Sequence, residues 1–109
     1  MAEIYKFNRL IKKHPELKQD LKELKRLPAN IIAIFGSYAK GIETDKSDID
    51  IYIEIQNDKI KKEASKINKK FSVKTGEYAK DSLLIKEIEK SHIMVKGVEI
   101  FYEKNKFFD

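Results

Sequence analysis

Apolar residues recur at helical spacing through the first quarter of the chain. Phe7, Leu10 and Ile11 are spaced by three or one, and a leucine series with lysines and glutamates between its members continues after Pro15. This spacing is typical of amphipathic helices that bury one face. Because proline interrupts a helix, the pattern predicts either two short helices or one helix broken near His14 and Pro15.

Two segments in the middle of the chain have the patterns of β-strands. Residues 31–35 form a continuous apolar run that is rich in β-branched residues and too short for a helix, which predicts a strand buried on both faces. Residues 48–55 alternate strictly with period two, which predicts a second strand. Its isoleucines share one face, and the other face carries Asp48, Asp50, Tyr52 and Glu54.

The second half of the chain continues to alternate between helical and extended patterns. Asn57 precedes a lysine-rich helical pattern, and Asp81 or Ser82 precedes another, so these residues are the expected helix caps. The segments predicted to be extended are 71–75, 92–95 and 98–102. The alternation predicts an α/β (α+β) fold with a small mixed β-sheet flanked by helices. The aromatic C-terminal part, 98–102 with Phe107 and Phe108, is expected either to complete the sheet or to offer a strand edge to a partner.

Length and composition narrow the class of protein. With 109 residues and 41% apolar residues, one core is expected, so residues 1–109 are interpreted as a single domain. The chain contains no cysteine, which excludes disulfides, thiolate metal sites and a cysteine nucleophile. No apolar run is long enough for a signal peptide core or a membrane span, so we expect a cytoplasmic protein without a membrane partner. The net charge of +5 favours anionic partners, but it is too diffuse to predict nucleic-acid binding.

The chemistry is concentrated at the ends of the two central strands. Gly36 follows the first strand, where glycine permits a tight turn and close approach of a phosphate to the backbone, and Ser37 adds a hydroxyl. Asp48 and Asp50 project from one strand face about 7 Å apart, so they repel each other unless a cation lies between them. Oxygen ligands favour Mg²⁺, with Mn²⁺ as an alternative, and a pair of such ions would bridge the oxygens of a triphosphate.

The segments 36–41, Gly-Ser-Tyr-Ala-Lys-Gly, and 47–51, Ser-Asp-Ile-Asp-Ile, resemble the signature of the DNA polymerase β-type nucleotidyltransferase superfamily. That signature is glycine, serine, ten residues, aspartate, any residue and aspartate. In length the chain is similar to the minimal nucleotidyltransferases (MNT). The resemblance implies a nucleotidyltransferase fold and transfer of AMP from ATP to a hydroxyl, with release of pyrophosphate. By matching position, Gly36 and Ser37, with Ser47, are expected to bind the nucleotide. Asp48 and Asp50 are expected to be catalytic and to bind Mg²⁺, with two ions.

Resemblance to the MNT group also implies a partner, a HEPN-domain toxin, which the chain would neutralise as an antitoxin by adding AMP to a tyrosine, by binding, or by both. The superfamily pattern normally adds a third carboxylate from a later strand. Segment 71–75 has no acidic residue: Lys74 stands there, and Glu77 lies just beyond as a candidate third carboxylate. The alternative is therefore a nucleotide- and partner-binding antitoxin module with weak or no catalysis. Transfer to a small molecule such as an aminoglycoside ranks lower. The acceptor, the base specificity and the oligomeric state, whether homo- or hetero-oligomer, stay open.

Several other residues have structural interpretations that outweigh functional ones. His14 and His92 lack metal-ligand spacing. Segment 59–70 contains six lysines, which are expected to form a solvated helix face, although they would also suit an RNA acceptor. Tyr38 and Tyr52 flank the proposed site, where they would either stack on a base or pack in the core. Lys40 lies within the motif and is given no role.

Overall fold

A computed structural model of the protein describes the backbone of residues 2–105 and the side chains of residues 3–102. The described chain contains helices and strands in the following order: α1 (Ala2–Lys13), a 3₁₀ helix (Pro15–Leu17), α2 (Lys18–Lys25), β1 (Ile32–Phe35), α3 (Gly36–Lys40), β2 (Ile49–Ile53), α4 (Asp58–Ile67), β3 (Phe71–Thr75), α5 (Leu83–Lys90), β4 (Ile93–Lys96) and α6 (Val98–Asn105).

The N-terminal helical region is broken where proline predicts it. Helix α1 ends at Lys13, and Pro15 occupies the first position of the 3₁₀ helix, where its missing amide hydrogen costs no hydrogen bond. Helix α2 follows directly and buries Leu21 and Leu24. The prediction of two helices separated near His14 and Pro15 is confirmed.

The four strands form one mixed sheet in the order β3-β2-β1-β4. Strand β1 is antiparallel to both of its neighbours, whereas β2 and β3 are parallel and are joined through α4. The register places Phe35 opposite Asp50 and Asp50 opposite Ser72. The expected α+β fold with a small mixed sheet flanked by helices is confirmed.

Each face of the sheet is covered by a different set of helices, because alternate side chains of a strand point to opposite faces. One face packs on α1, α2 and α4 through a cluster that includes the isoleucines of β2. The other face packs on α5 and α6 through a smaller cluster. That cluster consists of Ile31, Ala33, Phe35, Tyr52, Ile85, Ile88, Met94 and Phe101. Asp50 has the same strand parity as Tyr52 and therefore belongs to this second face.

Side chains cap the two helices that surround β3. The Asn57 carboxamide oxygen accepts hydrogen bonds from the amides of Lys59 and Ile60 at 2.9 and 3.2 Å. Of the two candidates for the α5 cap, Ser82 fills the role, since its hydroxyl accepts a hydrogen bond from the Ile85 amide at 3.1 Å. Each cap satisfies amides that the helix itself leaves unpaired.

The expectation of an extended segment at 98–102 is wrong, because these residues form the start of α6. Gly97 has φ of +86°, and a Cβ at this position would overlap the carbonyl oxygen of Asn30, so glycine allows the chain to reverse direction beside another backbone segment. The Phe101 amide then donates to the Gly97 carbonyl at 2.9 Å, and the Phe101 ring is fully buried. Phe107 and Phe108 lie outside the described residues. Among residues 2–105, no helix combines the length and apolar character needed to cross a membrane.

Candidate functional site

Gly36 lies at the junction of β1 and α3 with its backbone against the carboxylate of Asp50. Its φ is +70°, a conformation that side chains disfavour. A Cβ built on Gly36 would overlap the Asp50 carboxyl group. Glycine is therefore required here for two reasons: the backbone conformation disfavours other residues, and the Asp50 carboxyl group occupies the space of a side chain. It brings the two halves of the sequence motif into direct contact.

Ser37 is half-buried in the first turn of α3, directly after that glycine. The helix is only five residues long and ends at Gly41, whose φ is +73°. The Ile42 amide donates to the Ser37 carbonyl at 3.1 Å, which closes the turn. The first amides of a helix have no partner within it, so the start of α3 presents backbone donors beside the hydroxyl of Ser37.

The two aspartates differ in exposure. Asp48 is exposed and precedes β2, whereas Asp50 lies within the strand and is partly buried. Burial raises the pKa of the Asp50 carboxyl group, and the negative charges of Asp48 and Glu87 raise it further, while the Lys74 ammonium acts in the opposite direction. The ionised form of Asp50 is thus held in an unfavourable field, which a bound cation would relieve.

The donor chemistry fits a hard divalent cation, although the protein supplies only part of a coordination shell. Within residues 3–102, no group of three or more histidine, aspartate or glutamate side chains is placed to hold a metal ion together. Mg²⁺ commonly takes one or two carboxylates and completes its shell with substrate phosphates and water. Asp48 and Asp50 match that type of ligand set.

The parallel pairing of β2 and β3 places Lys74 on the face that carries Asp50. Ser72 lies opposite Asp50, and Lys74 lies opposite Tyr52. Glu77, the candidate third carboxylate, contributes its charge to the field at Tyr52 but is not among the charges that shift Asp50.

The acidic residue that sequence reasoning missed is Glu87, on the exposed side of α5. Nothing in the local pattern distinguishes it from other surface glutamates. Only the burial of Ile85 and Ile88 against the sheet brings Glu87 near enough for its charge to act on Asp50. Long-range packing of this kind leaves no periodic signal in the sequence.

The hydroxyl of Ser47 is engaged within the loop that leads to Asp48. It accepts a hydrogen bond from the Thr44 amide at 2.9 Å and lies 3.3 Å from the Thr44 hydroxyl. The Lys70 ammonium donates to the Asp45 carbonyl at 3.3 Å and fixes the same loop from the side. Ser47 therefore stabilises the turn that directly precedes Asp48.

Tyr38 and Tyr52 pack in the core, as the structural interpretation expects. Tyr38 belongs to the larger cluster and accepts a hydrogen bond from the Lys70 ammonium at 3.2 Å. Tyr52 is fully buried, and its hydroxyl donates to the Gly76 carbonyl at 2.8 Å. Burial raises the pKa of Tyr52 above its usual range. The neutral phenol of Tyr52 thus occupies the buried position next to Asp50 on the same face of β2.

The two histidines take part in structural networks. His14 lies 2.6 Å from the carboxylate of Glu43, whose pKa is about 2: burial raises it, but hydrogen bonds from His14 and Lys13 more than compensate. His92 lies 3.0 Å from the buried carboxylate of Glu3, which also accepts a hydrogen bond from Tyr102 at 2.7 Å. The second network fastens α1 to α6.

A basic cleft of about 210 Å³ lies between α1 and α3, and its lining includes Lys6, Arg9 and Lys40. Neither Gly36 nor Asp50 contributes to that lining. The lysines of α4 are exposed, as expected for a solvated helix face. The candidate site at the junction of β1 and α3 is therefore not part of the lining of this cleft, although both border α3.

Comparison with known proteins identifies the family of the chain. The sequence profile of the nucleotidyltransferase domain matches residues 14–106. A protein of Methanocaldococcus jannaschii, whose name carries a provisional assignment as a protein adenylyltransferase, is 37% identical over 54 residues, which cover 50% of this chain. The chain spans about half (49%) of the length of that curated relative. No solved structure matches the chain significantly. Since the profile covers most of the described fold and the whole Gly36–Asp50 site, the chain belongs to the nucleotidyltransferase domain family.

Proposed function

We propose that this protein transfers AMP from ATP to a hydroxyl group of a partner protein, in a reaction that requires Mg²⁺. Membership in the nucleotidyltransferase domain family supports the reaction type. The name of the partial relative favours adenylyl transfer to protein over other acceptors. The predicted partner is a HEPN-domain toxin, for which the chain would act as antitoxin.

The observation that carries the proposal is the contact between the Gly36 backbone and the Asp50 carboxylate. A phosphate that approaches the first amides of α3 would lie within reach of a cation held by Asp48 and Asp50. Triphosphate binding and metal binding then occur at one place. In-line displacement at phosphorus needs this combination of positioning and charge neutralisation.

In the proposed reaction, the acceptor oxygen forms a bond to the α-phosphorus, and the bond from that phosphorus to the α,β-bridging oxygen breaks. Pyrophosphate leaves, and the acceptor proton is released to water. Mg²⁺ would neutralise the charge on the phosphates. Gly36 and Ser37 position the triphosphate, Asp48 and Asp50 hold the cation, and the Ser47 turn sets the direction from which Asp48 is presented.

The test uses ATP labelled at the α-phosphate, Mg²⁺ and a HEPN-domain protein as the candidate partner. Label is expected to move to the partner and to be lost in Asp48→Ala and Asp50→Ala. Asp45→Ala is the matched control, because it removes an exposed carboxylate of the same loop without touching the pair. Tight partner binding without label transfer would refute the enzyme.

A second candidate function is a nucleotide- and partner-binding module that does not turn over. It is favoured by the absence of a third metal-capable side chain beside Asp48 and Asp50 in the part of the chain that the structure describes. In that case ATP and Mg²⁺ protect the protein against thermal unfolding, the partner is neutralised, and neutralisation survives Asp50→Ala. Loss of neutralisation in Asp50→Ala, together with label transfer by the unsubstituted chain, contradicts this alternative.

A further inference from the structure

The cleft between α1 and α3 is lined by more positive than negative charge. Its volume is about 210 Å³, and four cationic side chains but one carboxylate contribute to its lining. Lys6, Arg9 and Lys13 come from α1, and Lys40 comes from α3. The carboxylate is that of Glu43. The cleft therefore has a net positive charge and favours an anionic occupant.

Two of the four cations are free to bind such an occupant. Lys6 and Lys13 already have carboxylate partners of the same chain, at 3.0 and 2.9 Å. Arg9 and Lys40, in contrast, form no ion pair with any residue in the described range 3–102. Both are exposed, and one belongs to each of the two helices that border the cleft. The cleft thus offers an unpaired cation from each helix.

The cations of α1 follow a single face of that helix. Lys6, Arg9 and Lys13 are separated by three and four residues, which places them in one row about 10 Å long. Side chains on one face of an extended peptide recur about every 6.6 Å. The row therefore matches two carboxylates at alternate positions of an extended segment better than it matches a single small anion.

Apolar groups accompany these charges, which favours a polypeptide over a strand of nucleic acid. Leu10, Tyr38 and Ile93 also line the cleft. Ile42, whose two neighbours in the chain line the cleft, is 67% exposed. Proteins bind single-stranded nucleic acid with exposed aromatic side chains that stack on bases, but Tyr38, the aromatic residue of the described lining, is buried. An occupant with both carboxylates and apolar side chains fits this surface.

We propose that the cleft between α1 and α3 is the docking site for an acidic, partly apolar segment of the acceptor protein. The inference rests on the proposed function, because it takes the acceptor to be a protein. Helix α3 joins the two sites. Ser37 in its first turn belongs to the proposed nucleotide site, and Lys40 at its end belongs to the cleft, about 5 Å farther along the helix. Docking thus keeps the acceptor beside the bound nucleotide.

The first test measures binding without turnover, by fluorescence anisotropy. The probe is a fluorescein-labelled hexapeptide that alternates glutamate and leucine, and the control peptide alternates glutamine and leucine. The glutamate peptide is expected to bind about tenfold more tightly at low ionic strength, because only its side chains are charged. Arg9→Gln and Lys40→Gln should each weaken its binding about two- to fivefold, and the double variant by about the product of the two.

A matched double variant controls for the change in net charge. Lys61→Gln with Lys62→Gln removes two exposed charges from α4, which contributes no residue to the described lining of the cleft. This variant should bind the glutamate peptide as the unsubstituted protein does. Thermal unfolding of each variant separates a loss of binding from a loss of the fold.

The second test measures label transfer from ATP to the HEPN-domain candidate partner. In the double variant of Arg9 and Lys40, the KM for the partner should rise about fourfold to 25-fold, the product expected for two exposed charge pairs. The kcat and the KM for ATP should stay unchanged, because the substitutions leave Asp48 and Asp50 in place. A purely structural role of the two cations would instead lower kcat together with thermal stability.

Several results would contradict the docking site. Equal binding of the two peptides overturns it, and so does unweakened binding of the glutamate peptide by the double variant of Arg9 and Lys40. Tighter binding of a single-stranded oligouridylate that is lost in this variant also overturns it, because the cleft would then serve nucleic acid. A KM for ATP that rises as much as the KM for the partner assigns the cleft to the nucleotide instead.

The two tests also distinguish failure of the inference from failure of the proposed function. Label transfer with an unchanged KM for the partner in the double variant overturns the inference and leaves the proposed function standing. If the peptide binds as described but no label is transferred by the unsubstituted protein, the proposed reaction is refuted, while the cleft stands as a site for acidic peptides.

Discussion

Replacing Gly36 with alanine is expected to destabilise the protein more than the same replacement at Gly41. The two glycines share nearly the same backbone conformation, with φ of +70° and +73°. A Cβ at Gly41 would have no heavy atom within 4 Å, whereas a Cβ at Gly36 would overlap the Asp50 carboxylate. Gly41→Ala therefore carries only the backbone penalty of about 1–2 kcal/mol. Gly36→Ala adds about 1–3 kcal/mol for forcing a packed carboxylate to move.

The assay is thermal and urea unfolding of both variants, each in the native background and in Asp50→Ala. A difference of about 1 kcal/mol corresponds to a shift of about 4–8 °C in Tm for a domain of this size. In the Asp50→Ala background the overlapping carboxylate is absent, so the cost of Gly36→Ala should fall to that of Gly41→Ala. If Gly36→Ala costs the same with and without the Asp50 carboxylate, the proposed contact between the two halves of the motif is refuted.

Three further predictions concern charge and packing. Asp50→Asn is expected to stabilise the metal-free protein at neutral pH, as measured by urea unfolding. Because the pKa of Asp50 is raised in the folded state, its contribution to stability is present at low pH and is lost as pH rises through the folded-state pKa. Unchanged or lower stability of the variant contradicts this. Glu43→Gln should lower the free energy of unfolding by about 1–3 kcal/mol at pH 7, and this contribution of Glu43 should disappear as pH falls from 4.5 to about 2. Glu16 is an exposed partner of the same histidine, so Glu16→Gln should change the free energy of unfolding by less than about 0.5 kcal/mol. Phe101→Ala should cost about 3–5 kcal/mol in thermal unfolding, and Ile100→Ala, on the exposed side of α6, much less; equal costs would contradict the packing described for that helix.

The parts of the fold that sequence predicts well are those in which one periodic signal dominates. Polar and apolar residues alternate without exception through the segment that forms β2, and Gly36 directly follows the continuous apolar run that forms β1. Local periodicity and turn chemistry are sufficient there, because neighbouring residues alone determine which side chains share a face. The placement of Asp50 beside Gly36 follows from the pairing of those two strands.

Where the prediction fails, distant contacts decide the structure. Segment 98–102 has the β-branched and aromatic residues of a strand, but Phe101 fits a buried site formed by Tyr78 and His92, and a helix delivers it there. The position of Glu87 near Asp50 likewise depends on how α5 packs on the sheet. Such tertiary effects override intrinsic propensity and cannot be read from a window of adjacent residues.

The position of β2 inside the sheet has a consequence for hydrogen exchange. Strand β2 is hydrogen-bonded on both sides, to β1 and β3, whereas β3 and β4 are edge strands of the described sheet. Amides of such a central strand exchange mainly through global unfolding, while loops such as the turn at Thr44–Ser47 open locally. Asp50 is therefore attached to backbone that is among the last to open. Local opening of the loop before it is therefore expected to leave the carboxylate in place.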